Sequence, residues 1–550
     1  MDHLDAIVVG AGFGGVYALH RLRQLGLKAL VIDAADGVGG TWYWNRYPGA
    51  RCDVESLQYS YSFSKEIQQE WNWTELYSAQ PEILKYIEFV VDRLKLKNGI
   101  QLSTKVTRAH FDDATSTWTV TTDKGQSLTA KYVVFATGCL SVPIDPTIPG
   151  IENFNGPIFR TGDWPHGEVD FSSLRVGLVG TGSSGIQITP RIAEKAEALH
   201  VFQRTPNYSI PARNRTLDDK YQAIWKGAYP ERRAMARATK NNTINNAGLR
   251  SGFEVTPEQF EAELEARWVA GGIGFMYAFT DISTDEEINE RVSDFVRRKI
   301  RAMVKDPVTA EKLTPTEYPI GAKRICVDTD YYTTFNRGNV FLEDVKEDPI
   351  ETMTATGMKL ASGREVDLDM LILATGFDAM TGALERVDIH GRDGIPLRDE
   401  WSAGPQTYLG LMVNKFPNMF IVAGPQSPSV FTNMVTSIED HIDWITDAVE
   451  KMESEGLSTM EAESDAQGDW VRHVGEVAEA ALVGKGNSNS WYVGANVPGK
   501  PRVVTPYLGG AVAYMNKLND SVKNGYDGFS FQGGPKAGSS NKHATELQSQ

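Results

Sequence analysis

The apolar positions of this chain change period several times, and each change marks an element. Ala6-Ile7-Val8-Val9 is a short continuous apolar run of strand character. Behind it Val16, Leu19, Leu22 and Leu25 recur at helical spacing, and Gly26 is placed to end that helix. Leu30-Val31-Ile32 reads as the next strand. The same succession returns later: Val176-Gly177-Leu178-Val179, a helix opening on Ile186-Gln187-Ile188, then the strand Leu199-His200-Val201-Phe202. Residues 117–120 and 128–135 read as short strands around the turn Asp123-Lys124-Gly125. From 216 to 324 the spacing is helical and the charge density high. Phe260, Leu264 and Trp268 share one face there, and so do Ile288, Val292, Phe295 and Val296 after the start signal Ser283-Thr284-Asp285. Ile421-Val422-Ala423-Gly424-Pro425 is a strand and turn, followed by a helix with Ile438, Ile442 and Ile445 on one side. Residues 533–550 are polar, rich in Gly, Ser and Lys, and without period, so a disordered tail is expected.

Between strand and helix, both times, stands a glycine-rich loop: Gly10-Ala11-Gly12-Phe13-Gly14-Gly15 and Gly180-Thr181-Gly182-Ser183-Ser184-Gly185. The first two glycines of such a loop turn the chain tightly and admit a pyrophosphate to backbone N–H groups. The last lets the helix pack on the sheet. Two loops imply two dinucleotides side by side, an electron donor and an electron acceptor. Asp33, at the end of the strand after the first loop, is placed to accept hydrogen bonds from ribose hydroxyls. The equivalent strand after the second loop ends in Gln203-Arg204-Thr205 and offers no carboxylate. Arg204 can grip a 2′-phosphate and Thr205 can add a hydroxyl, so this site should prefer NADPH to NADH. By analogy with other proteins holding two dinucleotides, the N-terminal site is assigned to FAD. Val133-Val134-Phe135-Ala136-Thr137-Gly138 and Leu371-Ile372-Leu373-Ala374-Thr375-Gly376 both end in Ala-Thr-Gly and resemble the strand-to-loop returns of such flavoproteins. Taken alone, each is a strand and a turn.

These readings predict an α/β chain with two Rossmann-like dinucleotide-binding domains, for FAD and NADP, and a helical insertion in the second. The expected boundaries are 1–142 for the first part of the FAD domain, 143–215 and 325–385 for the NADP domain, 216–324 for the insertion, and 386–532 for the second part of the FAD domain. The spaced prolines of 143–149 read as the linker. A length of 550 residues allows several domains with sizeable cores. A net charge of −16 argues against nucleic acid or an anionic membrane as partner. Cys52, Cys139 and Cys326 form no CxxC pair, which disfavours disulfide-reductase chemistry; no metal site is expected, and a reducing, cytoplasmic setting fits. No apolar run approaches the roughly 20 residues of a membrane helix, and no signal segment precedes the first strand.

The stretch from Phe154 through Gly156, Arg160 and Trp164 to Pro165 resembles the Baeyer–Villiger monooxygenase fingerprint FxGxxxHxxxWP, with Arg160 where the family has histidine. The Trp-Pro ending separates it from related N- and S-oxygenating flavoproteins. The segment from Gly39 to Asp53, the pair Lys323-Arg324 before Asp328-Thr329, Ala374 to Asp378, and the region from Asn487 to Lys500 around Trp491 resemble the same family. The resemblance implies that NADPH reduces FAD, that O2 adds at C4a, and that the resulting peroxyflavin attacks a ketone. The tetrahedral adduct then rearranges to an ester or lactone. It implies Arg324 as the fixed cation and Asp53 as its holder; from sequence alone their proximity is open, and an ordinary ion pair is the alternative. It further implies FAD contacts from Gly10, Gly12, Phe13, Gly14, Gly15, Asp33, Gly40, Thr41, Trp42, Asp53, Tyr59, Val106 and Met434. For NADP it implies Arg51, Asp53, Gly180, Thr181, Gly182, Ser183, Ser184, Gly185, Arg204, Thr205, Lys323, Arg324 and Trp491, the last on a mobile loop. Trp42, Tyr43, Trp44 and Tyr47 serve equally as core aromatics or as an isoalloxazine wall. The expected partners are a ketone and O2, and the chain is expected to act as a monomer. Rival readings are an N- or S-oxygenating flavin monooxygenase, an NADPH oxidase without oxygen transfer, and a non-catalytic nucleotide sensor. The ketone itself is not legible.

Overall fold

The computed structural model describes residues 3–486 and 488–533. The chain begins with β1 (His3–Val9), the helix Phe13–Gln24, β2 (Ala29–Ile32) and β3 (Ile100–Gln101), with the strands parallel. β4 (Val106–Asp112), β5 (Thr117–Thr122) and β6 (Ser127–Phe135) follow as an antiparallel run, and β6 returns in parallel beside β1. A second sheet starts with β7 (Ile158–Arg160), β8 (Arg175–Val179), the helix Ser183–Ala193 and β9 (Ala198–Gln203). β10 (Ser209–Pro211) and β11 (Cys326–Asp328) pair with each other and close the stem of a long helical excursion. That excursion contains the helices Asp219–Gly227, Tyr229–Arg237, Pro257–Ala270, Glu286–Met303 and Pro307–Lys312. β12 (Val340–Asp344) then joins the second sheet. β13 (Ile350–Thr354), β14 (Gly357–Leu360) and β15 (Glu365–Asp367) form a small antiparallel sheet, and β16 (Met370–Leu373) completes the second sheet. β17 (Asp388–His390) and β18 (Met419–Ile421) pair back onto β4 and β6; β19 (Leu457–Ala462) and β20 (Phe529–Gly533) form a separate pair.

The first sheet runs β17-β4-β5-β6-β1-β2-β3 with β18 also on β6, and the second runs β12-β9-β8-β16-β7 with all pairs parallel. β16 is buried along its whole length, and β1 from Ala6 onward is almost wholly so, because both faces are covered. That is why these strands read as unbroken apolar runs. β4 and β5 alternate between buried and exposed positions, as half-covered antiparallel strands do. In each sheet the glycine-rich loop leaves a strand whose neighbours belong to opposite wings: β2 and β6 flank β1, and β9 and β16 flank β8. A crevice opens at the carboxyl end of such a strand.

Two crossings join the sheets, and they run side by side. The Ile144 amide donates to the Gly376 carbonyl at 3.0 Å, the Asp378 amide to the Val142 carbonyl at 2.8 Å, and the Thr375 hydroxyl to the Ile144 carbonyl at 2.8 Å. Two features depart from the sequence reading. The β13–β15 sheet is built from strands of three to five residues whose buried members, Met353, Met358, Leu360 and Val366, are too few to show a period. Gly533 belongs to β20, opposite Leu457, and not to a tail. Residues 534–550, the rest of the expected tail, lie outside the described residues, as does Asn487. Among the described residues, no helix is long and apolar enough to cross a membrane.

Candidate functional site

The two glycine loops have the same local architecture. Gly10 has φ +108°, and a Cβ there would lie 2.5 Å from the Ala136 carbonyl oxygen; Gly180 has φ +110°, and its Cβ would overlap the Ala374 carbonyl oxygen. Each Ala-Thr-Gly segment is therefore the floor of one loop. Cβ atoms at Gly15 and Gly185 would overlap the carbonyl oxygens of Gly10 and Gly180, so each helix seats directly on its own turn. Neither helix has a side-chain cap at Gly12 or Gly182, which leaves the first N–H groups aimed into the crevice. Bare glycine surface and uncapped N–H groups at both loops fit the pyrophosphates of two dinucleotides.

Around the first loop the chain builds an aromatic nest. Gly40 lies over Gly12, and the Gly39 amide donates to the Ala11 carbonyl at 3.0 Å, which clasps the segment leading into the short helix Thr41–Trp44 onto the loop. Phe13 meets Tyr59 and Tyr61 edge-on at 5.5 and 5.1 Å, and the Trp42 indole N–H donates to the Tyr59 hydroxyl at 3.2 Å. Asp33 accepts from the Ala11 amide at 2.5 Å and the Ala35 amide at 2.8 Å. Burial raises its pKa, while these two amides oppose the rise. A carboxylate has further lone pairs, so capacity for a ribose remains. Val106 lies in the core beside Val9 and Ile32, while Met434 opens the helix Met434–Glu455 near Cys139, Val430 and Tyr492.

At the second loop the Thr181 hydroxyl donates to the Thr205 carbonyl at 2.9 Å, and Ser183 lies 3.4 Å from the Cys326 sulfur. Arg204 is exposed on the wall of a cleft of about 550 Å³ that Lys346 and Arg502 also line. Lys323 lies over the Tyr318 ring at 4.7 Å; burial, with the charge of Arg204 adding to it, lowers its pKa to about 8. Arg51 pairs with Glu75 and donates to the Tyr77 carbonyl at 2.5 Å.

Between the loops, residues far apart in sequence meet. Arg324 donates to the Asp53 carboxylate at 2.6 Å and, through its other arm, to the Val430 carbonyl at 2.6 Å. Burial disfavours its charge, but Asp53 and a hydrogen bond with Tyr492 outweigh that and push the arginine pKa higher still. The Arg324 side chain is 27% exposed, so the site holds a half-buried, permanently charged cation in a fixed pose. Trp491 begins a 3-10 turn capped by Ser490, and its ring lies 4.4 Å from that of Tyr492, in the cluster with Cys139, Met380 and Val430.

The fingerprint residues act elsewhere. Phe154 packs in the core beside the small β-sheet, and a Cβ at Gly156 would overlap the Asp369 carbonyl. The Trp164 amide donates to the Trp44 carbonyl at 3.3 Å, and Pro165 lines a groove with Arg46 and Gln80. Arg160, on the edge strand β7, donates to Asp145 in the first crossing at 2.7 Å. Three participants were not legible in sequence: Tyr492 and the Val430 carbonyl, which hold Arg324, and His166, which bridges Tyr43 at 2.8 Å and Arg46 at 2.7 Å. Tyr492 adjoins Trp491 and could have been found from that neighbour. A backbone carbonyl leaves no sequence signal.

Comparison with known proteins gives a consistent picture. A model of the pyridine nucleotide-disulphide oxidoreductase family matches residues 4–228. The chain is 43% identical over 95% of its length, and 95% of the relative's, to a Baeyer-Villiger monooxygenase from Pseudooceanicola batsensis. It is 40% identical to the phenazine N-monooxygenase PhzNO1 of Lysobacter antibioticus, covering 97% of this chain and 98% of that one. A solved structure of an oxidized steroid monooxygenase bound to NADP superposes with a TM-score of 0.92 at 48% identity, over 96% of this chain and 100% of that one.

Proposed function

Because this chain belongs to the Baeyer–Villiger monooxygenase family, we propose that it uses NADPH and O2 to convert a ketone into an ester or lactone. FAD is assigned to the first loop and NADP(H) to the second. FAD held at the first loop would supply two-electron transfer from NADPH and activation of O2, one oxygen atom going to the substrate and the other to water.

The chain's own residues supply the rest. The observation that carries the proposal is the Arg324–Asp53 pair, half-buried between the two loops. Oxygen insertion builds negative charge on the oxygens beside the substrate carbonyl. A guanidinium that cannot deprotonate stabilises that charge, and it pays no reorganisation cost if already in place. Asp53 and the Val430 carbonyl hold it from two sides, with Tyr492 nearby. Arg204 and Lys323 would hold the 2′-phosphate, and Trp491 would cover the nicotinamide half. The proposed domains follow the sheets: 1–142 with 386–532 for FAD, 143–215 with 325–385 for NADP, and 216–324 as the helical insertion. Three unpaired buried thiols support a reducing, cytoplasmic setting. We propose a monomer, to be read by light scattering.

The test is product analysis with NADPH, isotopically labelled O2 and a ketone panel. A ketone should gain one labelled oxygen. Arg324→Ala should still permit flavin reduction by NADPH but form no ester; normal ester yield would sink the role given to Arg324. Similarity to an N-monooxygenase favours a second reading, N-oxygenation. Amine turnover with every ketone untouched would move the assignment there. Stoichiometric peroxide unchanged by ketone would leave only an oxidase.

A further inference from the structure

β17 is the strand by which the chain re-enters the first sheet after the second crossing, and it forms that sheet's edge. It pairs in parallel with β4 in the register Asp388 with Arg108, Ile389 with Ala109 and His390 with His110. Side chains alternate between the two faces of a strand. Ile389 and Ala109 are therefore buried in the core together, while Asp388, His390, Arg108 and His110 gather on the outer face. There His110 Nε2 lies 3.2 Å from one Asp388 carboxylate oxygen and His390 Nε2 lies 2.8 Å from the other. The two imidazole rings are 4.2 Å apart, and the ligand-type atoms of all three residues lie within 4.8 Å of one another.

The surroundings orient this group. His390 Nδ1 lies 2.9 Å from the Gly394 carbonyl, which can accept only a hydrogen, so Nδ1 carries a proton and Nε2 is the ring atom turned toward Asp388. The turn bearing Gly394 is itself fixed: Asp113 accepts from Arg392 at 2.8 Å and from the Asp393 amide at 3.0 Å. A ring nitrogen held by an anchored carbonyl while the other nitrogen converges with a carboxylate is the usual outer support of a metal-ligating histidine. Arg108 also reaches Asp388, at 3.1 Å, and competes for its charge.

We propose that His110, Asp388 and His390 form a site for a divalent cation of the zinc type, completed by water, that clips the returning strand to the first sheet. Two imidazoles and a carboxylate are a ligand set suited to Zn2+. The side chains are 36%, 46% and 27% exposed, so the ion can enter without unfolding. The site lies outside the cofactor junction, and its loading does not depend on the activity assigned above.

The flavin-loaded protein, stripped with chelator and titrated with Zn2+ alone, should take up about one ion per chain saturably, with a rise in Tm. His110→Gln and His390→Gln should each weaken uptake by about tenfold or more while keeping flavin content and turnover. Arg108→Gln should bind at least as tightly as the wild type. Absence of saturable uptake by the wild type would overturn the proposal. So would uptake unchanged in the His110→Gln/His390→Gln double variant, or a loss in Arg108→Gln equal to that in the histidine variants.

Discussion

Arg204 follows β9 where Asp33 follows β2, and the proposed preference for NADPH rests on that contrast. Removing a charge-assisted contact to a phosphate costs about 1.5–3 kcal/mol. Arg204→Ala should therefore raise KM for NADPH on the order of 10–100-fold and leave KM for NADH nearly unchanged in steady-state assays. Lys323 adds a pH dependence. Burial, reinforced by Arg204, holds its pKa near 8, so the ammonium is charged below that pH and neutral above it. Bound 2′-phosphate favours the charged form, and KM for NADPH should climb as pH rises through about 8. The climb should disappear in Lys323→Arg, which does not titrate there. Arg204 was singled out because the strand end after a glycine loop is where the ribose is held, and its exposed place on the cleft wall suits the phosphate role proposed for it. Asp53 and Arg324, 271 positions apart, had nothing local to join them; only family likeness did so until the fold brought them to 2.6 Å.

The strand–loop–helix units were legible nearly in full, because buried parallel strands and glycine turns leave strong marks. What the marks did not reveal was the partner of each loop. Ala136 and Ala374 looked like ordinary strand ends, yet their carbonyl oxygens fill the space a side chain would need at Gly10 and Gly180. A methyl at Gly180 would meet backbone, which cannot rotate away, at a φ of +110°. Gly180→Ala should cost on the order of 1–3 kcal/mol of stability. It should slow flavin reduction by NADPH about tenfold or more, with flavin still bound at the first loop. Stopped-flow absorbance and flavin content read the two effects separately. The helical excursion was legible from its periodicity, whereas the β13–β15 sheet was not, since strands of three to five residues carry too few apolar positions to count.

On the scale of the whole molecule, the fingerprint serves the joint between the domains. Trp164 and His166 reach from the second domain to the aromatic segment of the first, and Arg160 ties β7 to the first crossing through Asp145. The Arg160–Asp145 pair is largely solvated, with side chains 42% and 74% exposed, and such pairs contribute at most about 1 kcal/mol. Arg160→His still offers a donor, so the variant should keep at least about a tenth of wild-type turnover with flavin content intact.

The paired crossings have one more consequence. Entry at Val142–Ile144 and exit at Thr375–Asp378 are hydrogen-bonded neighbours, so the nicotinamide half leaves and rejoins the flavin half at one place along the chain. Where the severed ends already touch, joining them costs little chain entropy. One contiguous piece of gene therefore encodes the nicotinamide half, and transplanting it would carry Arg324 along while Asp53 and the Val430 carbonyl stay with the host.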